Sequence, residues 1–298
     1  MSSNKKTVLY ETFKDRSFRF LLALIGERAY LRLRYRQRLG FYPNLNDPML
    51  FTEKLQWLKL NEKSSQLTAC ADKIEVKKIV ADRIGIQYVI PAISILNTPD
   101  ELDKQAIPEY PVIIKTSHDS GGVIVVKKES DFKPDVIRQQ LARKMNINFY
   151  YANLEWEYKN IKPRILIEPL LSDSSGNTML NDYKIHCFNG KALFIQTIFD
   201  RMNTVKEDWF DRDWQAQPFW YFSSRRREVP RPACLDQMLE IAEALAVDFT
   251  YVRVDLYEIN GRVYFGEFTF RPYGGFMKWN DKKWDSYLGD LLQLPLDA

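Results

Sequence analysis

Cysteine and histidine are both scarce in this sequence. Its 298 residues include three cysteines and two histidines. Cys70, Cys187 and Cys234 are odd in number, lie far apart and form no C-x-x-C motif, which is typical of a reduced, cytoplasmic protein without a cysteine-based metal site. His118 and His186 are too few for a histidine metal cluster. The sequence therefore directs the search for metal ligands to carboxylates.

Long apolar runs are also missing. The first residues are polar, so we expect no secretory leader. The longest early apolar run, 18–25, contains Arg19 and is much shorter than the roughly 18 residues that a membrane span needs. Residues 16–38 combine an apolar stripe with many arginines. They fit a docking helix with solvated arginines as well as a peripheral contact with the inner face of the plasma membrane.

A strong charge of one sign is the third absence. The net charge is +4 and acidic residues are mixed in along the whole chain, so nucleic acid is not an expected partner. Hydrophobic residues make up 45% and charged residues 28% of the chain, an ordinary globular balance. We see no internal repeat. A homo-oligomer is compatible with this composition.

Helices and antiparallel hairpins alternate in the predicted secondary structure, which indicates an α+β protein. Thr52 is a candidate N-cap for a helix that follows a turn-rich break at 41–48. Asn-Gly pairs predict hairpin turns at 189–190 and 260–261. The other predicted helices cover 17–39, 72–84, 133–149 and 234–246, and the predicted strands cover 87–93, 110–117, 123–128, 164–171, 182–200 and 251–270.

A lysine and a glycine-containing loop form the first candidate site. A predicted strand ends at Lys115, and a small polar loop containing Gly121 and Gly122 leads into the next strand. Glycines let backbone N–H groups approach a phosphate, and the lysine ammonium can reach the same oxygens. Considered alone, the stretch is better explained as a tight hairpin with an exposed lysine.

The strand 164–171 forms the second candidate site. It carries Glu168 near its end and leaves the sheet through Pro169, which exposes backbone groups that suit the edge of an adenine. Leu170 and Leu171 could hold the faces of the ring. Taken alone, the segment fits a buried strand with one acidic end at least as well.

The late hairpin forms the third candidate site. Asp255 and Glu267 are hard oxygen ligands of the kind that hold Mg²⁺ together with nucleotide phosphates, and Arg253 shares a strand face with Asp255. A strict two-residue turn at 260–261 would put the two carboxylates on opposite faces. A shared metal therefore requires an odd loop or a bulge, and we predict a bulge at Gly261 in the left-handed conformation.

In this order the pieces resemble the ATP-grasp superfamily, and more closely its TupA-like branch, named for teichuronopeptide biosynthesis. The resemblance implies two α+β lobes that clasp a nucleotide, at 69–165 and 166–298, after a short helical N-terminal region at 1–68. The matching phrases are FTEKLQWLKL, DKIEVKK, IIKTSHDSGG, YKNIKPRILIEPLL, DYKIHCFNGK, YVRVDLYEINGRVYFGEFTF and LGDLLQLP.

The resemblance also implies roles for individual residues. The implied cofactors are ATP and Mg²⁺, with catalytic roles for Lys115, Arg253 and Arg271. The implied ATP contacts are Lys73, Lys115, Ser117, His118, Ser120, Gly121, Gly122, Glu168, Leu170, Leu171 and Lys184. The implied metal ligands are Asp255, Glu267 and Thr269, where Thr269 stands at a position that is Asn in many ATP-grasp enzymes.

The activity implied by the resemblance is a carboxylate–amine ligase that works through an acylphosphate. Its acceptor would be an acidic sugar of a bacterial surface polysaccharide and its amine an amino acid. The basic run 225–227 could meet an acidic glycan or be a solvated loop. Two other functions stay open: a glycosyltransferase, for which Asp211 and Asp213 form only a formal D-x-D, and a glycan-binding scaffold without catalysis.

Overall fold

The computed structural model describes residues 2–172, 174, 182–199, 206–222 and 229–295. Helices and strands follow one another along the described chain with antiparallel strand pairs, so the predicted α+β class is confirmed. The helices are α1 (Ser2–Leu39), α2 (Phe51–Asn61), α3 (Ser65–Ala71), α4 (Glu75–Ile84), α5 (Pro134–Met145), α6 (Tyr150–Asn153), α7 (Leu235–Ala246) and α8 (Lys282–Leu291). The strands are β1 (Ser94–Leu96), β2 (Val112–Thr116), β3 (Ile124–Val126), β4 (Ile165–Pro169), β5 (Asp182–Phe188), β6 (Lys191–Phe199), β7 (Lys206–Asp211), β8 (Tyr251–Ile259) and β9 (Arg262–Thr269).

The chain divides into two compact units. The first comprises Met1–Arg34, Glu62–Lys77 and Ile90–Leu170, and the second comprises Tyr35–Asn61, Lys78–Val89 and Leu171–Ala298. The domain boundaries expected from the sequence, after residues 68 and 165, stay predictions.

The first unit is built on a four-stranded antiparallel sheet with the order β1-β4-β2-β3. Side chains alternate between the two faces of a strand, and Ile114 and Ile167 lie on the face that the core covers completely. Ile137 and Leu141 of α5 pack into the same cluster. The other face of this sheet is therefore the one that can carry a site.

The second unit is built on a five-stranded antiparallel sheet with the order β7-β6-β5-β8-β9. Helix α7 packs against β5, β6 and β8, and it covers the face that carries Cys187, whose Sγ lies 3.8 Å from the Ala242 carbonyl oxygen. The alternate side chains of the same strands, among them Lys184 and Asp255, lie on the opposite face.

Helix α2 packs on the aromatic part of the second core. Phe51 lies 5.4 Å from Phe188 and 5.1 Å from Tyr251 between ring centroids. The predicted N-cap role of Thr52 is wrong, because the helix begins at Phe51 and Thr52 is its second residue. Thr52 donates its N–H and its hydroxyl to Asp285 of α8, at 2.9 and 2.6 Å.

One predicted strand is wrong. Residues 86–88 form a 3₁₀ turn, and the strand begins at Ser94. Pro91 lies in the middle of the predicted run and cannot donate to a sheet ladder, which explains why the strand starts beyond it. The helices α3, α6 and α8 and the strand β7 were not predicted, although Asp281 before α8 is a typical N-cap residue.

Helix α1 uses part of its apolar stripe within the first unit. Tyr30 and Leu31 are fully buried, and the Tyr30 hydroxyl donates to the Tyr151 carbonyl oxygen at 3.0 Å. Phe20 and Leu24 stay 73% and 71% exposed. Over the described residues, no helix combines the length and the apolar character that crossing a membrane requires. The membrane contact predicted for 16–38 stays a prediction.

Candidate active site

Lys115 and Glu168 meet on the open face of the first sheet. Ile113 pairs with Glu168 and Lys115 with Leu166, so the lysine and the glutamate are diagonal neighbours on one face. The Lys115 Nζ lies 2.5 Å from Glu168 Oε2, and Lys77 of α4 pairs with Oε1 of the same carboxylate. Two ammonium groups thus share one buried carboxylate, and the surplus positive charge suits a phosphate.

Lys77 is a member of this cluster that the sequence reasoning missed. Its pKa is lowered, because burial disfavours the charged form more than Glu168 favours it, and Lys115 acts in the same direction as burial. The residue belongs to the quoted phrase DKIEVKK, of which only Lys73 was selected. The predicted helix 72–84 contained the signal: Lys77 follows Lys73 by four residues, so the two side chains would lie on the same helix face.

Two exposed apolar side chains lie at the two edges of the same sheet face. Val125 of β3 pairs with Ile113, and Ile95 of β1 pairs with Leu166. Val125 is 45% and Ile95 44% exposed. The two side chains lie on the outer strands of the sheet, one on each side of the Lys115–Glu168 pair. Either of them could contact one face of a purine base whose phosphates reach the cationic cluster.

The glycine-containing loop is anchored from two sides. Gly121 and Gly122 have φ values of 83° and 73°, in the region that favours glycine. The Lys144 ammonium donates to the Gly122 carbonyl oxygen and pairs with Asp119, both at 3.1 Å. Lys73 pairs with Asp119 as well, at 3.6 Å. Lys144 lies on α5 outside every quoted phrase, so nothing in the sequence marked it.

A side chain at Gly122 would collide with this anchor. A Cβ built there would lie 1.3 Å from the Lys144 Nζ. Ser120, Gly121 and Gly122 form the exposed part of the loop. They are the loop residues with room for a ligand.

Ser117 and His118 lie inside the first unit. The Ser117 hydroxyl accepts from the Arg164 N–H at 3.2 Å and donates to the Lys162 carbonyl oxygen at 3.4 Å. The His118 Nε2 lies 3.2 Å from the carbonyl oxygens of Lys144 and Ile147. Burial lowers the pKa of His118, so the ring is neutral and donates from Nε2. Both side chains fix the base of the loop, and their predicted contact with ATP stays a prediction.

The end of β4 is less open than expected. The Leu170 N–H donates to the Pro111 carbonyl oxygen at 2.9 Å, so this group is already paired within the first unit. Leu170 and Leu171 are half-buried. The expected adenine contacts of these two leucines stay predictions.

Four charged groups converge on the open face of the second sheet. Arg253 binds Asp255 with two hydrogen bonds, Nε to Oδ1 at 2.6 Å and an Nη to Oδ2 at 2.8 Å. Lys184 of β5 lies opposite Asp255 and donates to Asp255 Oδ2 at 2.5 Å and to Asp182 Oδ2 at 2.7 Å. Burial would raise the pKa of Asp255, but Arg253 and Lys184 outweigh burial and lower it. The carboxylate is therefore ionised.

The β8–β9 register brings Asp255 and Glu267 together. Ile259 pairs with Arg262 around a strict two-residue turn, and Asp255 pairs with Glu267. The register shifts by one residue in between, so the predicted bulge exists. Its predicted place is wrong: Gly261 is an ordinary turn residue with φ 74°, and Gly266 is the extra residue of β9.

Thr269 and Glu267 complete this part of the site. Thr269 pairs with Arg253, and its hydroxyl accepts from an Arg253 Nη at 2.9 Å. The Glu267 side chain is 44% exposed, and its Oε1 lies 3.8 Å from the same guanidinium. Glu267 is thus the accessible carboxylate and Asp255 the buried one.

A buried polar network beside Arg253 was not predicted. His186 lies opposite Arg253, and its two ring nitrogens lie 2.7 Å from the Tyr251 hydroxyl and 3.4 Å from Gln196 Oε1. Gln196 also donates to Glu207. The pKa of His186 lies well below its ordinary value because of burial and the nearby Arg253, so the ring is neutral.

Glu207 stabilises the segment that follows β7. Its Oε1 accepts from the backbone N–H groups of Tyr221 and Phe222, and burial raises its pKa. Nothing in the sequence distinguishes this glutamate from the many surface glutamates. The basic run 225–227 lies outside the described residues.

Arg271 follows β9 directly and is 1% exposed. Its Nη1 donates to the Phe270 carbonyl oxygen at 3.0 Å. The predicted contact of Arg271 with a substrate carboxylate stays a prediction.

The formal D-x-D motif at 211–213 stabilises the turn in which it lies. The Asp211 carboxylate accepts from the N–H groups of Asp213 and Gln215 at 3.0 and 2.8 Å, and from the Gln217 amide at 3.1 Å. Both of its oxygens are therefore engaged by protein donors.

A metal ion held by protein groups alone has little support. Over the described residues, no three His, Cys, Asp or Glu side chains are grouped so that they could hold one. Mg²⁺ is usually held by one or two carboxylates together with substrate phosphates and water. Glu267 offers an accessible carboxylate for that arrangement. Asp255 lies opposite it and is ionised, but both of its oxygens are paired with Arg253 or Lys184, so it would have to exchange one of these partners for the metal.

The sequence of this chain matches the TupA-like ATP-grasp family over residues 53–293, which are 241 of the 298 residues. The chain belongs to this family. The predicted recognition and the predicted ATP-grasp fold are thereby confirmed. No curated protein matches this TupA-like ATP-grasp chain.

Solved structures that are similar to this TupA-like chain include two D-alanine–D-alanine ligases. D-alanine–D-alanine ligase from Bacillus anthracis has 19% identity and a TM-score of 0.40, with 72% of this chain and 62% of that chain covered. The same enzyme from Helicobacter pylori has 18% identity and a TM-score of 0.40, with 82% and 69% covered.

Another similar structure is that of an ATP-grasp ligase. The ATP-grasp ligase PsnB, in complex with a phosphomimetic variant of its minimal precursor, Mg and ADP, has 14% identity and a TM-score of 0.43, with 80% of this chain and 63% of that chain covered. The chain spans about three fifths of the length of the Bacillus anthracis ligase and of PsnB.

Proposed function

We propose that this protein is an ATP- and Mg²⁺-dependent ligase that joins the carboxylate of an acidic sugar to an amine such as an amino acid. The observation that carries the proposal is the pairing of Asp255 with Glu267, beside Arg253, in a chain of the TupA-like ATP-grasp family. The branch is named for teichuronopeptide biosynthesis, which supports a bacterial surface polysaccharide as the acceptor. We place the reaction in the cytoplasm, where ATP is available.

The first unit would bind the nucleotide. Lys115 and Lys77 would contact the phosphates with the charge that Glu168 leaves uncompensated. Val125, which is exposed on the strand next to Lys115, would take a face of the adenine. The exposed glycine loop, residues 120–122, would offer backbone N–H groups to the same phosphates.

The second unit would stabilise the reacting phosphoryl group. Asp255 and Glu267 would hold Mg²⁺, which when bound offsets the negative charge of the ATP phosphates. Lys184 and Arg253 keep Asp255 ionised, and Arg253 would face the charge that accumulates around the γ-phosphate. Thr269 fixes the guanidinium from the neighbouring strand.

The reaction would proceed in two displacements. An oxygen of the acceptor carboxylate attacks the γ-phosphorus of ATP, the bond to the β–γ bridging oxygen breaks, and ADP leaves. The lone pair of an unprotonated amine then attacks the acyl carbon, inorganic phosphate leaves, and the amine loses a proton to give an amide. Arg271 is our candidate for binding the substrate carboxylate, because it follows directly on the strand that carries Glu267.

A hydroxylamine trap tests this function. The protein is incubated with ATP, Mg²⁺, hydroxylamine and a panel of uronic acids, and we expect a hydroxamate together with one ADP per hydroxamate. The Glu267→Gln variant provides the matched background. If no acid in a broad panel gives hydroxamate or acid-dependent ADP, carboxylate activation is contradicted.

The same incubation distinguishes the glycosyltransferase alternative. With sugar nucleotides in place of ATP, release of a nucleoside diphosphate would favour a glycosyl transfer. We expect none, because the Asp211 carboxylate stabilises its own turn by accepting from the backbone N–H groups of Asp213 and Gln215, and because the chain belongs to an ATP-grasp family.

A further inference from the structure

A strained turn follows the last strand of the second sheet. Tyr273, Gly274 and Gly275 have φ values of 56°, 62° and 70°. This left-handed conformation is unhindered for glycine but carries a steric cost for tyrosine. A strained non-glycine residue persists where the surrounding structure determines it, and such residues are concentrated at functional sites.

The Tyr273 side chain does not compensate for this cost by burial. The residue is 54% exposed, and its ring makes edge-to-face contacts with Phe222 and Tyr221, at centroid distances of 4.7 and 5.1 Å. Core packing therefore gives no reason for a tyrosine at this position. The ring is presented outward, two residues after Arg271.

Two polar side chains of α2 hold the turn. The Gln56 amide donates to the carbonyl oxygens of Gly274 at 3.2 Å and Gly275 at 2.8 Å. The Lys59 ammonium donates to the Gly274 carbonyl oxygen at 2.5 Å and to Gln56 Oε1 at 3.0 Å. The Lys59 ammonium also lies 4.6 Å from the ring centroid of Phe276.

Burying the polar groups of Gln56 and Lys59 is unfavourable in free energy. Gln56 is 0% and Lys59 2% exposed, and burying an amide and an ammonium is unfavourable unless they are well partnered. Gly275 is matched to the helix, because a Cβ there would lie 2.5 Å from Gln56 Nε2. The helix and the turn are therefore built as one unit.

We propose that Gln56 and Lys59 are positioning residues of the ligase site, acting through the turn 272–275 on Arg271 and Tyr273. Both residues lie in the segment FTEKLQWLKL, which precedes the proposed nucleotide-binding residues in the chain. The proposed ligase mechanism gives this segment no other role. The inference rests on the proposed ligase function. If Gln56 and Lys59 have this role, substituting either residue should weaken the binding of the carboxylate substrate and leave the binding of ATP unchanged.

Lys54 provides a matched control on the same helix. Its ammonium also donates to two backbone carbonyl oxygens, those of Gly289 at 2.9 Å and Leu292 at 2.8 Å. These belong to the end of α8 and not to the turn. Lys54→Met and Lys59→Met therefore remove the same group from one helix, and only the second loosens the turn.

The test compares Lys59→Met, Gln56→Met and Lys54→Met in the full chain. The readouts are amide hydrogen exchange in peptides that cover 271–276 and the KM values for ATP and for the uronic acid that gives the most hydroxamate. For Lys59→Met we expect exchange at least tenfold faster and an acid KM raised about tenfold, as for a lost hydrogen bond to a charged donor. The KM for ATP should change less than twofold. Gln56→Met should give the same pattern more weakly, and it replaces Lys59→Met if that variant does not fold.

The outcomes separate this inference from the proposed function. If the wild type is active and Lys59→Met behaves like Lys54→Met in exchange or in acid KM, the positioning role is wrong. A rise of both KM values together would indicate a general structural role and would also contradict it. If the wild type gives no hydroxamate with any acid, the ligase function fails first and the positioning role fails with it.

Discussion

Asp255 lies directly opposite Glu267 across strands β8 and β9, and one additional residue in β9 puts it there. Without the register shift, the two-residue turn would pair Glu267 with Val254 and direct the carboxylates to opposite sheet faces. Gly266 is the additional residue. A Cβ there would lie 2.9 Å from Tyr257 Cε2 and 3.0 Å from the Asp255 carbonyl oxygen, so the bulge has room for glycine only.

Replacing Gly266 by alanine should therefore disturb the site as well as the strand. We expect Gly266→Ala to lower the free energy of unfolding by about 1–3 kcal/mol, the usual cost of overpacking. ATP turnover should fall much further than the folded fraction does. Urea unfolding and acid-dependent ADP release measure the two effects. Gly261→Asn is the control: nothing lies within 4 Å of a Cβ there, and Asn tolerates the left-handed conformation. Equal turnover in both variants would contradict the register argument.

Glu267 should contribute to chemistry and little to stability. Its side chain is 44% exposed, and Glu267→Gln keeps its shape while removing its charge. We expect acid-dependent ADP release to fall at least a hundredfold, with the urea midpoint unchanged. Glu258→Gln removes a carboxylate from the opposite face of β8 and should keep wild-type turnover. Substantial activity in Glu267→Gln would contradict the assigned metal role.

Lys115 should set the affinity for the nucleotide. Removing its ammonium with Lys115→Met leaves Glu168 paired with Lys77, so the fold should persist while one phosphate contact is lost. We expect the dissociation constant of ADP, measured by calorimetry without any acceptor, to rise about tenfold or more. Lys128→Met, at an exposed lysine just beyond β3, should bind ADP like the wild type. Equal affinities for the two variants would remove Lys115 from the nucleotide site.

The sequence placed Arg253 and Asp255 on one strand face, whereas Lys184 was named only through the family resemblance. Arg253 and Asp255 are two residues apart on β8, and Lys184 lies opposite Asp255 on β5. Once the register of a strand pair is known, such neighbours are fixed. The position of the bulge was not predictable in this way. An Asn-Gly pair indicates the turn, whereas Gly266 in the middle of a strand reveals a bulge only when the pairing on both sides is known.

Residues whose side chains bind distant backbone groups could not be predicted from the sequence. Gln56 and Glu207 each bind backbone groups that lie far away in the chain, at 274–275 and 221–222. No local pattern marks a side chain whose partner is a backbone group, because any backbone carbonyl or N–H can serve. Asp285 is a further example, since it caps α2 from another helix.

Asp285 is also the group with the clearest expected pH dependence. Burial raises its pKa to about 6, and the hydrogen bonds from Thr52 oppose burial only in part. Asp281, at the start of the same helix α8, is the opposite case: the N–H of Lys283 is the main cause that lowers its pKa.

The stability contributed by Asp285 should decrease as the pH rises. Because its folded pKa of about 6 lies above the ordinary value of 3.8, the folded protein binds the proton more tightly. The contribution is then complete below about pH 4 and is lost as the pH rises through 6. Urea unfolding of the wild type and Asp285→Asn between pH 4.5 and 7.5 measures it. We expect the difference in free energy of unfolding to shift in favour of the wild type by about 2 kcal/mol from pH 7.5 to pH 4.5. The control Asp281→Asn should show the opposite sign, since a carboxylate with a lowered pKa loses its contribution as the pH falls. A difference that stays constant with pH for Asp285→Asn would show that burial does not raise the pKa of this carboxyl group.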